Sequence, residues 1–236
     1  MPAVAPPELR SYYETVAPFY ADEMLARADL PQWRELVARL GARSVLDLGC
    51  GDGRVARAIS AQANVIGLDL LTTLLPPDPG FEFVQGDMRE LPFDDGRFDL
   101  AIAANDPFAH LLEDADRGRA LDEAQRVASR VVIDALFLPA SDDARTRATG
   151  CVRETVLPDG ILRQESWHAI GPHAYRTIYR YIRGGRELAH AGTDVRAWSV
   201  DEAALRGRWA RLYGWLDGRP RDPDARELAI SLGGTL

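Results

Sequence analysis

Residues 44–53 read Ser-Val-Leu-Asp-Leu-Gly-Cys-Gly-Asp-Gly, a short apolar run that ends in glycines at alternate positions, and no other stretch narrows the fold so sharply. Such a run forms a strand, and glycines at its end let the backbone turn tightly and let a ligand approach to van der Waals distance. Residues 54–60 (Arg-Val-Ala-Arg-Ala-Ile-Ser) then read as a short helix whose free N–H groups point back at that ligand. A dinucleotide site would place a pyrophosphate there and space its third glycine as in G-x-G-x-x-G. Here the glycines stand at 49, 51 and 53, position 54 is arginine, and Asp47 precedes the first glycine by two. A carboxylate at the strand tip suits a cationic ligand better than a pyrophosphate.

The same alternation continues along the chain. Residues 64–70, 81–87, 98–105 and 130–137 are apolar runs of strand length. Before the last of them, residues 113–129 carry acids first, Arg126 late, and Ala120, Leu121, Ala124 and Val127 on one face, which predicts a helix. Another helix is expected from Asp29, with Pro31 in its first turn, Trp33, Leu36, Val37 and Leu40 on one side, and Gly41 as its stop. Residues 8–24 are aromatic-rich, and Pro18 divides them into two short helical pieces. Apolar strands alternating with helices imply a parallel sheet covered on both faces. The crossover 70–81 is only about ten residues long, less than a parallel crossover usually needs, so its helix is expected to be one turn or absent.

After residue 137 the pattern changes to consecutive strands at 151–158, 161–170, 174–183 and about 186–198, with turn signals at Asp159-Gly160, Gly171-Pro172 and Gly184-Gly185. In the third of these, Tyr175, Thr177, Tyr179 and Tyr181 share one face. Ser199 followed by Glu202 forms a capping-box signature, and residues 210–218 and 226–234 close the chain as two more strands.

Taken in order, these motifs resemble those of the class I S-adenosylmethionine-dependent methyltransferases. The carriers are Asp47-Leu48-Gly49-Cys50-Gly51, Asp69, Gly86-Asp87-Met88, Leu91-Pro92-Phe93, Phe98-Asp99-Leu100 and Ala104-Asn105. The resemblance implies S-adenosylmethionine as cofactor, laid along Asp47, Gly49, Cys50 and Gly51, with its ribose hydroxyls held at Asp69 beside Leu70. It places the adenine amino group on Asp87 and the ring against the Met88 backbone N–H, and it sets Ala104 and Asn105 near the methionine portion. Tyr20 looks like the N-terminal tyrosine that closes over the cofactor in small-molecule members. The strands inserted late in the chain are similar to those of the sugar N-methyltransferases. The fold so implied is α/β: a Rossmann-like, seven-stranded, mostly parallel sheet with helices on both faces, plus an antiparallel β cap inserted after the fifth strand. Residues 1–137 and 199–236 would form the cofactor-binding core, and 138–198 the cap lining the acceptor site.

The function expected from this resemblance is methyl transfer to an amine or hydroxyl of a small-molecule acceptor. A protein or RNA methyltransferase, or a catalytically silent S-adenosylmethionine-binding module, are the alternatives. His110 sits where many of these enzymes carry a histidine and is the candidate catalytic residue, with a general-base and a structural reading both open. Cys50 also reads as a small buried filler, because the motif supplies no base for a thiolate. The tyrosine stripe reads as packing, as an acceptor wall or, if turned outward, as a homodimer interface. Asn105-Asp106-Pro107-Phe108 departs from the Asn-Pro-Pro-aromatic motif of amino-group methyltransferases by its inserted aspartate. His173 and His190 have no metal-ligand spacing, so no metal is expected. A net charge of −8 with scattered arginines makes nucleic acid a poor partner. The start, MPAVAPPELR, lacks a basic-then-apolar leader and no run reaches transmembrane length, so the expected setting is the cytoplasm, without a membrane partner.

Overall fold

A strand covered on both faces is expected to be apolar at every position rather than at alternate ones, and the central strands follow this except at Asp47 and Asp134. In the computed structural model, which describes residues 4–25, 27–138, 140–198, 205, 208, 210–220 and 227–236, Val45, Leu46 and Leu48 are buried, as are Leu100 to Ala103 and Val131 to Ile133. The elements follow in chain order as α1 (Pro7–Leu25), α2 (Leu30–Leu40), β1 (Ser44–Leu48), α3 (Arg54–Ile59), β2 (Asn64–Asp69), β3 (Glu82–Gln85) and β4 (Leu100–Ala103). A 3-10 turn (Pro107–His110), α4 (Asp114–Val127), β5 (Val131–Leu136), α5 (Ala140–Thr149), β6 (Cys151–Val156), β7 (Leu162–Gly171), β8 (Ala174–Arg183), β9 (Arg186–Arg196), β10 (Arg211–Tyr213) and β11 (Glu227–Leu232) complete the chain.

Seven strands form one sheet in the order β10-β11-β5-β4-β1-β2-β3. The five strands from β5 to β3 pair in parallel. β11 runs antiparallel to β5, and β10 antiparallel to β11. Alternate strand residues feed two separate cores. On one face Val45, Val65, Leu100 and Ile102 meet Trp33, Leu36 and Val37 of α2 and Val55, Ala56 and Ile59 of α3. On the other, Leu46, Leu48, Leu68, Ala101 and Ile133 meet Ala120, Leu121, Ala124 and Val127 of α4, the stripe the sequence predicts.

A second, four-stranded antiparallel sheet, in the order β6-β7-β8-β9, lies beyond β5 in the chain. Its tyrosine face turns inward: Tyr175 and Tyr181 are buried, Tyr175 beside Trp167 and Val195, Tyr181 beside Val16 and Leu157. Phe19 of α1 stacks on Tyr181 with ring centres 4.0 Å apart and planes 10° from parallel. This inward orientation removes the ground for reading the stripe as a dimer interface.

One local expectation fails, and one helix stands where none was expected. Helix α1 is continuous through Pro18, because Val16 and Phe19 on either side of the proline pack against the second sheet and hold the helix across the lost hydrogen bond. Helix α5 stands where the sequence offers no apolar stripe; it is carried instead by Asp142 and Asp143 in its first turn, Arg147 in its last, and the Arg145–Asp142 and Arg147–Asp143 pairs. The 70–81 crossover forms no helix, in agreement with its length. Ser199 and Glu202 of the capping-box signature lie outside the described residues.

The turn from β1 into α3 depends on Gly53, which has φ +76° and faces the Phe81 ring so closely that a Cβ would sit 2.3 Å from it. Gly53→Ala should therefore lose about 1–2 kcal/mol to the left-handed backbone and a further ~1–3 kcal/mol to crowding. Urea denaturation with an unchanged midpoint would show that the loop relaxes freely.

Candidate active site

The order of strands reverses between β1 and β4, and open α/β sheets bind ligands outside the carboxyl ends of the strands at such a point. A cavity of about 320 Å³ opens there. Gly49, Gly51, Asp69, Leu70, Met88 and Ala104 line it, as do Asp87, Asn105 and Tyr20. Gly49 has φ +66°, and a Cβ on it would lie 2.3 Å from Pro107, so no side chain fits between the two loops. Leu71 and Leu74, from the crossover without a helix, cover the apolar side.

Asp69 ends β2 and ties the loops together. Its carboxylate accepts hydrogen bonds from the backbone N–H of Gly51 at 2.8 Å and of Leu71 at 2.9 Å. Burial pushes its pKa up, and these N–H donors oppose the shift. Asp87 is engaged differently: both oxygens take the Arg89 guanidinium, at 3.0 Å from Nε to each and 2.6 Å from NH2 to Oδ2. Burial alone would raise the Asp87 pKa, but the Arg89 hydrogen bonds leave it below the ordinary value. Arg89 also reaches Asp116 of α4 at 2.7 Å.

Two residues of the glycine motif stand behind the wall rather than on it. Strand alternation places Asp47 on the same side as Val45, the face covered by α2 and α3, and away from the cavity. It is 1% exposed, its Oδ1 has no hydrogen-bond partner, and burial pushes its pKa up to about 7. Cys50 turns toward Gly67 of β2, and burial pushes its thiol pKa up, which suits a filler and not a nucleophile.

A second cavity, of about 490 Å³, adjoins the first, and Tyr13, Tyr20, Asn105 and His110 line both. The junction is rigidly built. Asn105 and Asp106 take φ of 59° and 45°, a left-handed pair that short polar residues tolerate best. The Asp106 carboxylate holds the turn by accepting from the Leu136 N–H at 2.8 Å and the Trp198 indole at 3.1 Å, and burial pushes its pKa up to about 7. Asp134 accepts from the Asn105 N–H at 2.9 Å and from Arg27 at 2.6 Å, while Arg27 also donates to the Asn105 side-chain oxygen at 2.9 Å. The aspartate that breaks the sequence motif is thus an anchor of this turn.

On that turn, His110 Nε2 lies 3.0 Å from the Tyr13 hydroxyl, and its Nδ1 is buried without a partner. Burial lowers its pKa from 6.5 to about 4. The facing wall is a grid of cross-strand neighbours: Arg153, Glu165, Tyr179 and Ala191 form one row, and Thr155, Arg163, Tyr181 and Ala189 the next. Of the tyrosine stripe, only Tyr179 lines the cavity, 5.7 Å from the Tyr12 ring. Glu23 of α1 accepts from the Tyr181 hydroxyl and lies 3.2 Å from Arg163. Burial raises the Glu23 pKa against those two partners.

Sequence reasoning missed Tyr13, Glu23, Arg27, Arg163 and Glu165. The period of two that groups the tyrosines also groups Arg163, Glu165 and Trp167 on the next strand, so these were findable. Arg27 was not, because its partner Asp134 is 107 residues away. Among the described residues no cluster could hold a metal ion, and no helix is long and apolar enough to cross a membrane.

The chain is similar to known proteins in sequence and in fold. A family profile described as a methyltransferase domain matches residues 45–130. The demethylmenaquinone methyltransferase of Renibacterium salmoninarum is 31% identical over 226 residues, covering 90% of this chain and 85% of that protein. The 2-phytyl-1,4-naphtoquinone methyltransferase of Nostoc punctiforme is 31% identical over 140 residues, a match spanning 51% of this chain and 59% of that protein. Among solved structures, the S-adenosylmethionine-bound amino pentose methyltransferase of Micromonospora echinaspora, involved in calicheamicin biosynthesis, superposes with a TM-score of 0.67 at 18% identity. That likeness covers 99% of this chain and 100% of the other, and it shows a shared fold.

The His110 environment has a measurable consequence. The folded protein refuses a proton that the unfolded chain takes up below about 6.5, so this residue's contribution to stability falls as pH drops from about 6.5 to about 4. The His110 ring proton resonances should titrate with a midpoint near 4. A midpoint at or above the ordinary value would mean that water reaches the imidazole.

Proposed function

The chain belongs to the class I S-adenosylmethionine-dependent methyltransferases, and on that premise we propose that it methylates an amine or hydroxyl of a small, polar acceptor seated in the second cavity. The observation that carries this reading is the shared wall: Tyr13, Tyr20, Asn105 and His110 border both cavities, so a donor in one and an acceptor in the other meet there.

The first cavity fits the cofactor. Its glycines bring bare backbone to the ligand, Asp69 offers a carboxylate at the ribose position, and Leu71, Leu74 and Met88 give an apolar bed for a purine. The Asp87 oxygens are shared with Arg89, so an adenine amino group there would join an existing ion pair. When bound, S-adenosylmethionine supplies a methyl group on a positively charged sulfur. The protein's task is to hold the acceptor in line with it, and orientation of this kind can lower a barrier by up to ~7–11 kcal/mol.

The second cavity argues for a compact polar acceptor. A phytyl chain like the one in the Nostoc relative's name needs a long apolar channel, whereas this wall carries Glu23, Arg163, Glu165 and Tyr179. Glu23 and Glu165 share Arg163, so that end offers carboxylate oxygens to an acceptor amine beside the tyrosines. The second sheet supplies one wall of the cavity, which supports a small molecule over a protein or RNA strand. His110 is neutral near pH 7 and lies 3.0 Å from the Tyr13 hydroxyl, so the pair can hold the acceptor's hydrogen in place and relay the proton it loses. The burial that lowers the His110 pKa to about 4 makes it a weak base.

Two measurements test this function. Asp69→Ala should weaken S-adenosylhomocysteine binding about ten- to a hundred-fold, the worth of a charge-assisted hydrogen bond at roughly 1.5–3 kcal/mol. Unchanged affinity by calorimetry would move the ribose elsewhere. Release of S-adenosylhomocysteine should be detected when S-adenosylmethionine is offered with a panel of small amines and alcohols, and His110→Ala should slow it by ~10²–10⁴-fold with cofactor affinity intact. Near-normal turnover with a lowered melting temperature would make His110 structural, and no turnover with any acceptor would favour a silent binding module.

A further inference from the structure

Three arginines line the second cavity, and they differ in what they hold. Arg27 is bound to Asp134 and Asn105, and Arg163 to Glu23 and Glu165. Arg153, in the middle of β6, has neither an ion pair nor a hydrogen bond among the described residues, and its Nε is buried without a partner. Its cross-strand neighbour is Glu165. That carboxylate is already engaged on both oxygens, by the Trp167 indole on Oε1 and by Arg163 on Oε2. The Arg153 guanidinium lies instead over the Trp167 ring, 5.5 Å from its centre. A cation–π contact engages the charge of the guanidinium and leaves its N–H donors free for a planar or tetrahedral oxyanion.

A guanidinium keeps its charge at any physiological pH, and donors left unpaired in a partly buried setting are costly. We propose that Arg153 is the anchor of an oxyanion subsite, so that the methyl acceptor carries a carboxylate or phosphate group bound to the second sheet. The inference rests on reading the second cavity as the acceptor site. Thr155, two residues on and also lining the cavity, offers a hydroxyl on the same face of β6. The junction with the cofactor cavity is built by α1 and the turn after β4, which are separate elements from the one carrying Arg153. The acceptor is thereby fixed at two points, its anion on β6 and its reacting atom at the junction. Arg163 cannot serve this role, because two carboxylates already share it.

The test uses full-length protein saturated with S-adenosylhomocysteine, which fills the first cavity, and calorimetric titration with phenyl phosphate, benzoate and benzyl alcohol. These three probes share a ring and differ in the group it carries. At least one anion should bind ten- to a hundred-fold more tightly than benzyl alcohol, the span of a charge-assisted hydrogen bond. The tighter of the two anions identifies the group as phosphate or carboxylate. Arg153→Met should erase the preference and leave S-adenosylhomocysteine affinity unchanged. Arg153→Lys, which keeps the charge but loses the fork, should retain part of it, and serves if the methionine variant is poorly folded. Equal binding of all three probes, or an anion preference that survives in both variants, overturns the subsite. Failure of the methyltransferase reading shows elsewhere, as lost S-adenosylhomocysteine binding or no turnover. A protein that methylates uncharged acceptors without anion preference loses the Arg153 subsite alone.

Discussion

Strand β1 pairs in parallel with β2 on one side and β4 on the other, and the chains leaving β1 and β4 depart on opposite faces of the sheet. The connection after β1 enters α3 on one face, and that after β4 enters α4 on the other. The two departing loops leave a crevice that no backbone can cross, and every polar feature of the site is a response to it. The glycine loop bends away along one edge, the left-handed Asn105–Asp106 turn along the other, and Pro107 fills the space that a side chain on Gly49 would need.

Several aspartates around that crevice show how one functional group is put to different uses by its surroundings. Asp69 is satisfied by backbone N–H groups and keeps the loops in register. Asp29, 3% exposed, receives two hydrogen bonds from Arg54 and a third from Arg27, and despite burial its pKa stays below the ordinary value. That pair joins the start of α2 to the start of α3, and removing one member of such a buried pair typically costs ~3–5 kcal/mol. Asp47 and Asp106, with weaker or fewer donors, are pushed by burial to about 7. Burial against a guanidinium keeps the carboxyl pKa low; burial against neutral donors, or with an oxygen left unpartnered, pushes it up.

The core strands, α4 and the glycine loop were legible because each follows from local chemistry: period, dipole and turn residues. Asp47 was legible as a residue type in a motif, but its orientation depends on which face of β1 looks to the crevice, and that is set by the sheet's order. Pro18 predicts a break that packing against Val16 and Phe19 overrides. Helix α5 has no apolar stripe for the sequence reading to find; its first turn is acidic and its last basic. The pairing of Arg27 with Asp134 needs the folded chain to exist first, so no local pattern announces it.

Helix α1 contributes Tyr13 and Tyr20 to both cavities, while Phe19 and Glu23 fasten it to Tyr181 of the second sheet. A wall common to two ligands makes their occupancies thermodynamically linked. Whatever free energy one ligand spends or gains in setting those two rings is seen by the other, and by reciprocity the two affinities change by the same factor. A compound that wedges against Tyr13 from the second cavity would therefore register, on the proposed reading, as a change in the affinity of a ligand in the first without touching that ligand. Half-saturation measured with one cavity empty describes a different protein from the one that turns over.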